Sequence, residues 1–479
     1  MTRRTFSLGA LAAVGALPFS LRGATRRAAL RLKLGVISDI HVPSREKANW
    51  FRAALRTFDA ERVDGVVIAG DLGFNGVFAE LKVVADVWNE VFPKGRRSDG
   101  EPVERLFITG NHDVDGWFYH RPEWPKVNAT PDPATVTESY VFNRAKMWPE
   151  LFGEPFAPVV LKEVKGYTFV LNHWHSRMLK EKDPLPDFFR AHGHELAGEK
   201  PFFFIQHNHP KGTCYAGLTD GVIEGWGTDD AGLATPWLAS FPNCIAFSGH
   251  SHFTLTDERS IAQGAFTSVG TSACPSGAMA GALPGRDNFG WSGDREAVGC
   301  VDTDLPKQGM VVEVYDDEVV IRRRDFRLGA ALGADWVLPW PIARGRPYAI
   351  ESRRAVCPPP RFPAEARPRV AERKTEKGAW LDVTFPPLHG SASAARALDF
   401  GVRLEVRTAD VVRVAQEKRI YSVGALLPEA QDVAENCCAF ARSLVPFRWQ
   451  ARAVVTPYST FGTPGAPIAS DWKRYDPLV

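Results

Sequence analysis

Several things are scarce in this 479-residue chain, and each scarcity removes a class of function. There is no excess of basic charge: 58 Lys and Arg stand against 56 Asp and Glu, for a formal net charge of +2. Proteins that hold a phosphate backbone show clustered Lys and Arg. No stable nucleic-acid complex is therefore expected, although a nucleotide stays open as a substrate. The one dense basic run, Arg322 to Arg324, closes the strand-like stretch Met310–Ile321 and reads as a solvated face. Cysteine is thin. Its 7 residues, Cys214, Cys244, Cys274, Cys300, Cys357, Cys437 and Cys438, follow no framework spacing, and an odd number leaves at least one unpaired unless a bridge forms between chains. Adjacent Cys437 and Cys438 would point to opposite faces of a strand, which argues against a bridge between them. Long hydrophobic runs are missing as well, since the uncharged stretch from Leu8 to Leu21 is too short to be a convincing membrane span. What remains is 44% hydrophobic content, ample for two or three domains with real cores.

The informative residues lie in five short motifs, in order: Asp39-Ile40-His41, Gly70-Asp71, Gly110-Asn111-His112-Asp113, His207, and Gly249-His250-Ser251-His252. Each follows a short apolar or β-branched run: Leu34 to Ser38, Val63 to Ala69, Leu106 to Thr109, Phe202 to Gln206 and Ile245 to Ser248. Such runs read as buried strands of an α/β sheet. Trp50, Phe51, Ala54, Leu55 and Phe58, and then Phe78, Leu81, Ala85, Trp88 and Phe92, recur at helical spacing as the apolar faces of packed helices would. In an open α/β sheet, groups placed just past the carboxyl ends of several strands converge on one crevice. Carboxylate, imidazole and amide donors without thiolate suit Mn, Fe or Zn, and they are too many for one tetrahedral ion. Two ions roughly 3.5–4 Å apart can polarise a phosphoryl oxygen and activate a water between them.

Alone, an Asp after a strand is more often a helix cap, and Gly-Asn or Gly-Asp more often a turn. Together and in this order the motifs resemble the calcineurin-like metallophosphoesterase superfamily, with its pattern D-x-H, GD, GNH-[D/E], H and GH-x-H, over roughly residues 32–327. The resemblance implies a four-layer α/β/β/α sandwich and hydrolysis of a phosphomonoester or phosphodiester by a metal-bridging hydroxide. It implies that Asp39, His41 and His252 hold one metal, that Asn111, His207 and His250 hold the other, and that Asp71 bridges them, the ions being divalent or of mixed valence. It also implies that His112 faces the phosphate as the catalytic residue, with Asp113 orienting its imidazole. Gln206-His207-Asn208-His209-Pro210 offers two histidines, and His207, next to the strand end, is the favoured ligand. Purple acid phosphatases carry a Tyr three residues after the bridging Asp, where this chain has Phe74, so a tyrosinate-bound ferric ion is not expected.

Two Gly-rich stretches without helical period, Lys211 to Ala234 and Ser272 to Leu305, are expected to be functional loops that shape a substrate pocket. Their Tyr215, Trp226, Phe289 and Trp291 are candidates for stacking on a nucleobase, sugar or lipid headgroup, though buried packing is the commoner role for any single one of them. Lys211, Asp229 and Asp230 are ambiguous. The insertion from Gly116 to Leu161, with Trp117, His120, Trp124 and Trp148 and with prolines at 122, 125, 131 and 133, is expected to be irregular and to wall the pocket. His173 and His175, at the end of the strand Tyr167–Asn172, are expected to be structural, and His192, His194 and His389 have no motif context.

At the amino terminus, Thr2-Arg3-Arg4-Thr5-Phe6-Ser7-Leu8 ahead of the apolar stretch resembles a twin-arginine export signal. This implies the export machinery as a partner and a periplasmic or otherwise exported location. The expected organisation is a signal over residues 1–30, the phosphoesterase domain over 31–335, a Pro/Arg-rich linker over 336–360 and a smaller all-β sandwich over 361–479. Alternation in Trp380–Phe385, Val402–Val406 and Phe447–Val454 gives that last domain a resemblance to a fibronectin type III module. A rival reading is a cell-surface binding protein that keeps the scaffold without turnover. The presence of Asp71, Asn111 and His112 favours an enzyme.

Overall fold

The computed structural model describes residues 28–120, 142–177, 179–218, 222–223, 226–273, 307–388, 396–424 and 435–475. Residues 1–27 of the expected export signal, most of the second Gly-rich stretch with Phe289 and Trp291, Trp124 and the prolines at 122, 125, 131 and 133 of the Gly116–Leu161 insertion, and His389 lie outside them. Among the described residues no helix is long and apolar enough to cross a membrane.

The alternation of apolar runs and helical periods builds two sheets packed face to face. In the first, the strands Leu30–Ile37, Gly65–Ala69 and Glu104–Ile108 run parallel, and Gln308–Tyr315 and Glu318–Asp325 continue the sheet antiparallel on the far side of the first strand. In the second, Tyr167–Asn172, Phe202–Ile205, Cys244–Ser248 and Thr267–Gly270 are parallel, with Val159–Val164 and Ile261–Gln263 as antiparallel edges. Successive side chains of a strand alternate between faces. Val67 and Ala69 therefore join Leu34, Ile108, Phe169, Phe203, Ile245 and Phe247 between the sheets, while Val66 and Ile68 face the helices.

The helices Asn49–Ala60 and Phe78–Val91 close the outer face of the first sheet with Phe51, Ala54, Leu55 and Phe58, and with Leu81, Val84, Ala85 and Trp88. These positions form one stripe at a period of 3.6 residues. Phe58 lies directly over Gly35, so truncation to Ala would cost about 3–5 kcal/mol. On the second sheet, Val170, Phe204 and Ala246 pack against Leu185, Phe189 and Leu196 of the helix Leu185–Leu196. The result is the four-layer α/β/β/α arrangement.

The Gly116–Leu161 insertion is not wholly irregular. It contains the helix Arg144–Phe152, capped by Asn143, whose side chain accepts the Lys146 N–H, and closed by the left-handed Gly153. Trp148 of this helix is buried against Phe152 and His173.

The stretch expected as a linker, residues 336–360, opens as a strand instead. Trp336–Pro339 pairs antiparallel with Glu318–Ile321 and buries Trp336 and Leu338 in the core between the sheets. Proline is tolerated there because the strand lies on a sheet edge, where a missing N–H breaks no ladder. The helix Ile350–Val356 follows, and its Arg353 donates to the carbonyls of Glu258 and Ile261 at 2.5 and 2.7 Å.

Beyond it lies a β-rich region of two sheets. Arg369–Thr375, Gly378–Phe385 and Asn436–Ala441 form one, and Ala397–Arg407, Val412–Tyr421 and Gln450–Ser459 with two short edge strands form the other. Leu381, Val383, Phe400, Val402, Phe440 and Val455 fill the space between them. This region touches the phosphoesterase sandwich through Thr460, whose hydroxyl donates to Asp257 at 2.7 Å, and Phe461, which lies under the Arg353 guanidinium.

Candidate metal centre

The five motifs sit on loops that leave the carboxyl ends of strands in both sheets, which brings sequence-distant residues together. Asp39 and His41 follow Leu30–Ile37, Asp71 follows Gly65–Ala69, Asn111 opens the helix after Glu104–Ile108, His207 follows Phe202–Ile205, and His250 and His252 follow Cys244–Ser248. Asp39, His41, Asp71, His250 and His252 all adopt left-handed backbone conformations, with φ between 40° and 65°. Non-glycine residues seldom do so without a compensating need, and such strain gathers where side chains are aimed at a functional point.

Two motif glycines follow from close approach rather than flexibility. A Cβ on Gly110 would stand 2.2 Å from Asp71 Oδ1, and one on Gly249 would stand 2.2 Å from Asp39 Oδ2. Only a bare backbone lets each loop cross over the neighbouring carboxylate.

The donor atoms fall into two groups. Asp39, His41, Asp71 and His252 form one, and Asp71, His207 and His250 the other, the ligand atoms of each lying within 4.8 Å of one another. In the first, His252 Nε2 is 3.0 Å from Asp39 Oδ1 and 2.9 Å from His41 Nε2, which is 3.7 Å from Asp71 Oδ2. In the second, His207 Nε2 is 3.3 Å from Asp71 Oδ2, 2.9 Å from Asn111 Oδ1 and 3.2 Å from His250 Nδ1. The outer nitrogens are pinned: His207 Nδ1 meets the Ala69 carbonyl and His250 Nε2 the Gly227 carbonyl, each at 2.8 Å. Such partners fix which ring nitrogen faces inward.

All of these side chains are buried. Burial opposes charge on His207, yet the Asp71 and Asp39 carboxylates push it up to about 9, while burial and the His207 charge bring His250 down to about 3. Burial works against the Asp71 carboxylate too, but the His207 and His112 charges hold it well below the usual range. The cluster thus demands positive charge between its two carboxylates. Acidic and imidazole donors, all inward-facing and without sulfur, suit a pair of divalent cations.

His207 is the histidine of the fourth motif that enters this centre. His209 turns away, its ring held between the hydroxyls of Ser248 and Ser251 at 2.8 and 2.6 Å. His112 borders the centre, with its ring 4.6 Å from that of His41 and its backbone N–H on Asp71 Oδ1 at 2.8 Å.

The expectation that Asp113 orients the His112 imidazole does not hold. His112 Nδ1 instead meets the Phe74 carbonyl at 2.8 Å. Asp113 sits in the first turn of its helix, where a carboxylate folds back onto free backbone donors. It accepts the N–H groups of Leu72, Gly73 and Gly110 at 3.0, 2.7 and 2.8 Å, tying two motif loops together. Burial and the Asp71 charge push it up to about 7.

His173 is structural: its Nδ1 accepts the Thr109 N–H at 3.1 Å, and its ring packs edge-on against Trp148 and Phe156. Tyr215 packs on Phe253 under the Arg259 guanidinium. The side chain of Trp226 lies outside the described ones.

One residue at the site escaped sequence reasoning. Trp174 lies 5.8 Å from the His207 ring and 5.9 Å from that of His250, and its indole N–H donates to Asp115 at 2.9 Å. The available signal was its position between His173 and His175 at a strand end, where adjacent side chains point opposite ways.

Residues 32–253 match the family described as calcineurin-like phosphoesterase. This stretch is a calcineurin-like metallophosphoesterase domain, and the protein that carries it is a metal-dependent phosphoesterase, a family whose members hold two divalent metals. No curated protein matches the chain. Among solved structures, a dimetal phosphatase from Danio rerio aligns at 10% identity and a TM-score of 0.37, covering 65% of this chain and 100% of its own. The phosphoesterase Yfce from E. coli aligns at 13% identity and a TM-score of 0.26, covering 64% of this chain and 98% of its own.

Proposed function

We propose that the chain hydrolyses a phosphomonoester or phosphodiester at a two-metal centre in which Asp39, His41 and His252 hold one divalent cation, Asn111, His207 and His250 hold the other, and Asp71 serves both. The observation that carries this reading is the membership of Asp71 in both donor groups. Mn, Fe and Zn all fit the donors. When bound, the cations supply Lewis acidity toward a phosphoryl oxygen and lower the pKa of a water.

The residues of the chain do the rest. The pinned outer nitrogens of His207 and His250 keep their inner nitrogens aimed at the centre. A carbonyl oxygen can only accept, so the contact with Phe74 places a proton on His112 Nδ1 and makes Nε2 the nitrogen that exchanges a proton at the substrate. We assign His112 the delivery of that proton to the leaving alkoxide. Asp113 acts as a brace between loops rather than as a catalytic residue.

The test is the rate of Mn²⁺-supplemented protein on p-nitrophenyl phosphate and on bis-p-nitrophenyl phosphate, with Asp71→Asn alongside. Metal-dependent turnover that is lost in the variant is expected, and the favoured ester decides between phosphatase and phosphodiesterase. No turnover of either ester with Mn²⁺, Fe²⁺ or Zn²⁺ would overturn the reading.

We also propose export by the twin-arginine route, supported by Arg3-Arg4 ahead of the apolar stretch from Leu8 to Leu21. Replacing both arginines by Lys should keep the protein in the cytoplasm of a bacterial host, and unchanged export would refute this. The C-terminal sheets we read as a fibronectin type III-like module that packs against the enzyme through Thr460 and Phe461.

A further inference from the structure

A cavity of about 240 Å³ opens beside the metal centre, with His207 in its wall and Trp174 next to it. Two other lining residues are Asn172 and Asp229, which are 7% and 8% exposed. Each carries a buried oxygen, Asn172 Oδ1 and Asp229 Oδ2, that has no hydrogen-bond partner among the described residues. Leaving a buried acceptor unpaired is costly, and more so for a charged one.

The other carboxylates of the wall are satisfied. Asp230 accepts the N–H groups of Lys211, Gly232 and Ala234 and the Gln206 amide, and Asp115 accepts from Trp174 and Ser176. On Asp229, Oδ1 takes the Ala231 N–H at 2.8 Å, which leaves Oδ2 unmatched. The rim cation Arg177 reaches only the Asp230 carbonyl, at 3.4 Å. Two unmatched acceptors, one of them anionic, with an indole alongside, make a site for a donor that carries positive charge.

We propose that this cavity holds the alcohol portion of the phosphoester, that this alcohol bears a primary ammonium group, and that Asn172 and Asp229 receive its N–H groups while Trp174 packs on its methylenes. The inference rests on the proposed phosphoesterase centre for its location. A neutral polyol would fill the acceptors but leave the carboxylate uncompensated. A trimethylammonium group would offset the charge and lie well on an indole, but it has no N–H to give.

The experiment uses the full-length metal-loaded enzyme and three matched pairs, each an ethanolamine ester beside its choline counterpart: phosphoethanolamine, glycerophosphoethanolamine, and vesicles of phosphatidylethanolamine. Propyl phosphate serves as the neutral control for the monoester. The three pairs separate a soluble monoester, a soluble diester and a lipid as the source of the same headgroup. The ethanolamine member of at least one pair should have a kcat/KM at least about 10-fold above its choline member, because a site built for a donor rejects the analogue that lacks it. Asp229→Asn and, separately, Asn172→Leu should each shrink that ratio toward one.

Calorimetric titration of ethanolamine into metal-free protein gives a readout independent of turnover, and saturable binding weakened in Asp229→Asn is expected. Equal kcat/KM within every pair together with no ethanolamine binding would mean that ordered water alone satisfies these oxygens, and would overturn the proposal. If the nitrophenyl esters also fail to turn over, the hydrolytic reading falls, and the calorimetric result then decides this inference by itself.

Discussion

The Nε2 atoms of His41 and His252 stand 2.9 Å apart in a buried site, and the Asp39 carboxylate oxygen lies 3.9 Å from the first and 3.0 Å from the second. Two imidazole nitrogens this close share at most one proton, and a cation between them and Asp39 would satisfy all three groups. Chelation should therefore destabilise the protein. At a free metal concentration of 100 times Kd, binding adds about 2.7 kcal/mol, which for a domain of this size is a rise in Tm of roughly 4 °C. Scanning calorimetry before and after treatment with a chelator, and again after adding back Mn²⁺ or Zn²⁺, measures it. An unchanged transition in protein stripped of metal would refute the cation site.

Gly110 tests the packing of the loops. An Ala there would place its Cβ 2.2 Å from Asp71 Oδ1 and 2.5 Å from the Asp71 backbone nitrogen. Neither atom can move without disturbing the residue shared by both donor groups. Gly110→Ala should lower stability by about 1–3 kcal/mol and reduce bound metal as measured by elemental analysis. Gly264→Ala, where a Cβ meets nothing within 4 Å, is the matched control and should be close to neutral. Full metal occupancy in Gly110→Ala would contradict the close approach of the two loops.

Asp113 and His112 are adjacent and should fail differently. Asp113→Asn loses acceptor capacity toward the N–H groups of Leu72, Gly73 and Gly110, at a cost of about 1–3 kcal/mol seen in urea denaturation. His112→Ala should leave stability near the wild type and cut kcat by about 10²–10⁴-fold. The pH–rate profile separates the roles. If Asp113→Asn shifts the limb that His112→Ala abolishes, then Asp113 does act through the imidazole, and its assignment as a loop brace is wrong.

Much of this site is legible in the amino-acid sequence because strand, glycine and ligand are neighbours along the chain. The runs ending at Ile37, Ala69, Ile108, Ile205 and Ser248 are buried and apolar, so each announces both a strand and the loop that follows it. What stays hidden depends on contacts between distant segments. Asp113 looks like a partner of His112 by adjacency, yet its carboxylate reaches back to Leu72 and Gly73. Trp174 is flanked by two histidines that draw attention for their chemistry, but the indole is the side chain that meets His207 and His250. Trp336–Pro339 sits in a composition typical of linkers, and only its pairing with Glu318–Ile321 makes it a strand.

His173 supplies a pH prediction away from the metal ligands. Burial, with the Arg144 and Lys162 charges nearby, lowers it from 6.5 to about 3. Its Nδ1 accepts the Thr109 N–H, a bond that the protonated ring cannot keep. Because the folded value is depressed, the unfolded chain takes up a proton below pH 6.5 that the folded protein refuses, so stability falls as the pH drops from about 6.5 toward about 3. The limiting slope is about 1.4 kcal/mol per pH unit. In His173→Gln the amide oxygen can still accept the Thr109 N–H but does not titrate. The variant should start somewhat less stable at pH 7, because Gln packs poorly against Trp148 and Phe156, and then lose stability more slowly on acidification. Groups at the metal centre titrate alike in both proteins, so the difference between the two urea-denaturation series from pH 7 to pH 4 isolates His173. Parallel curves would show that His173 is not held neutral by the fold.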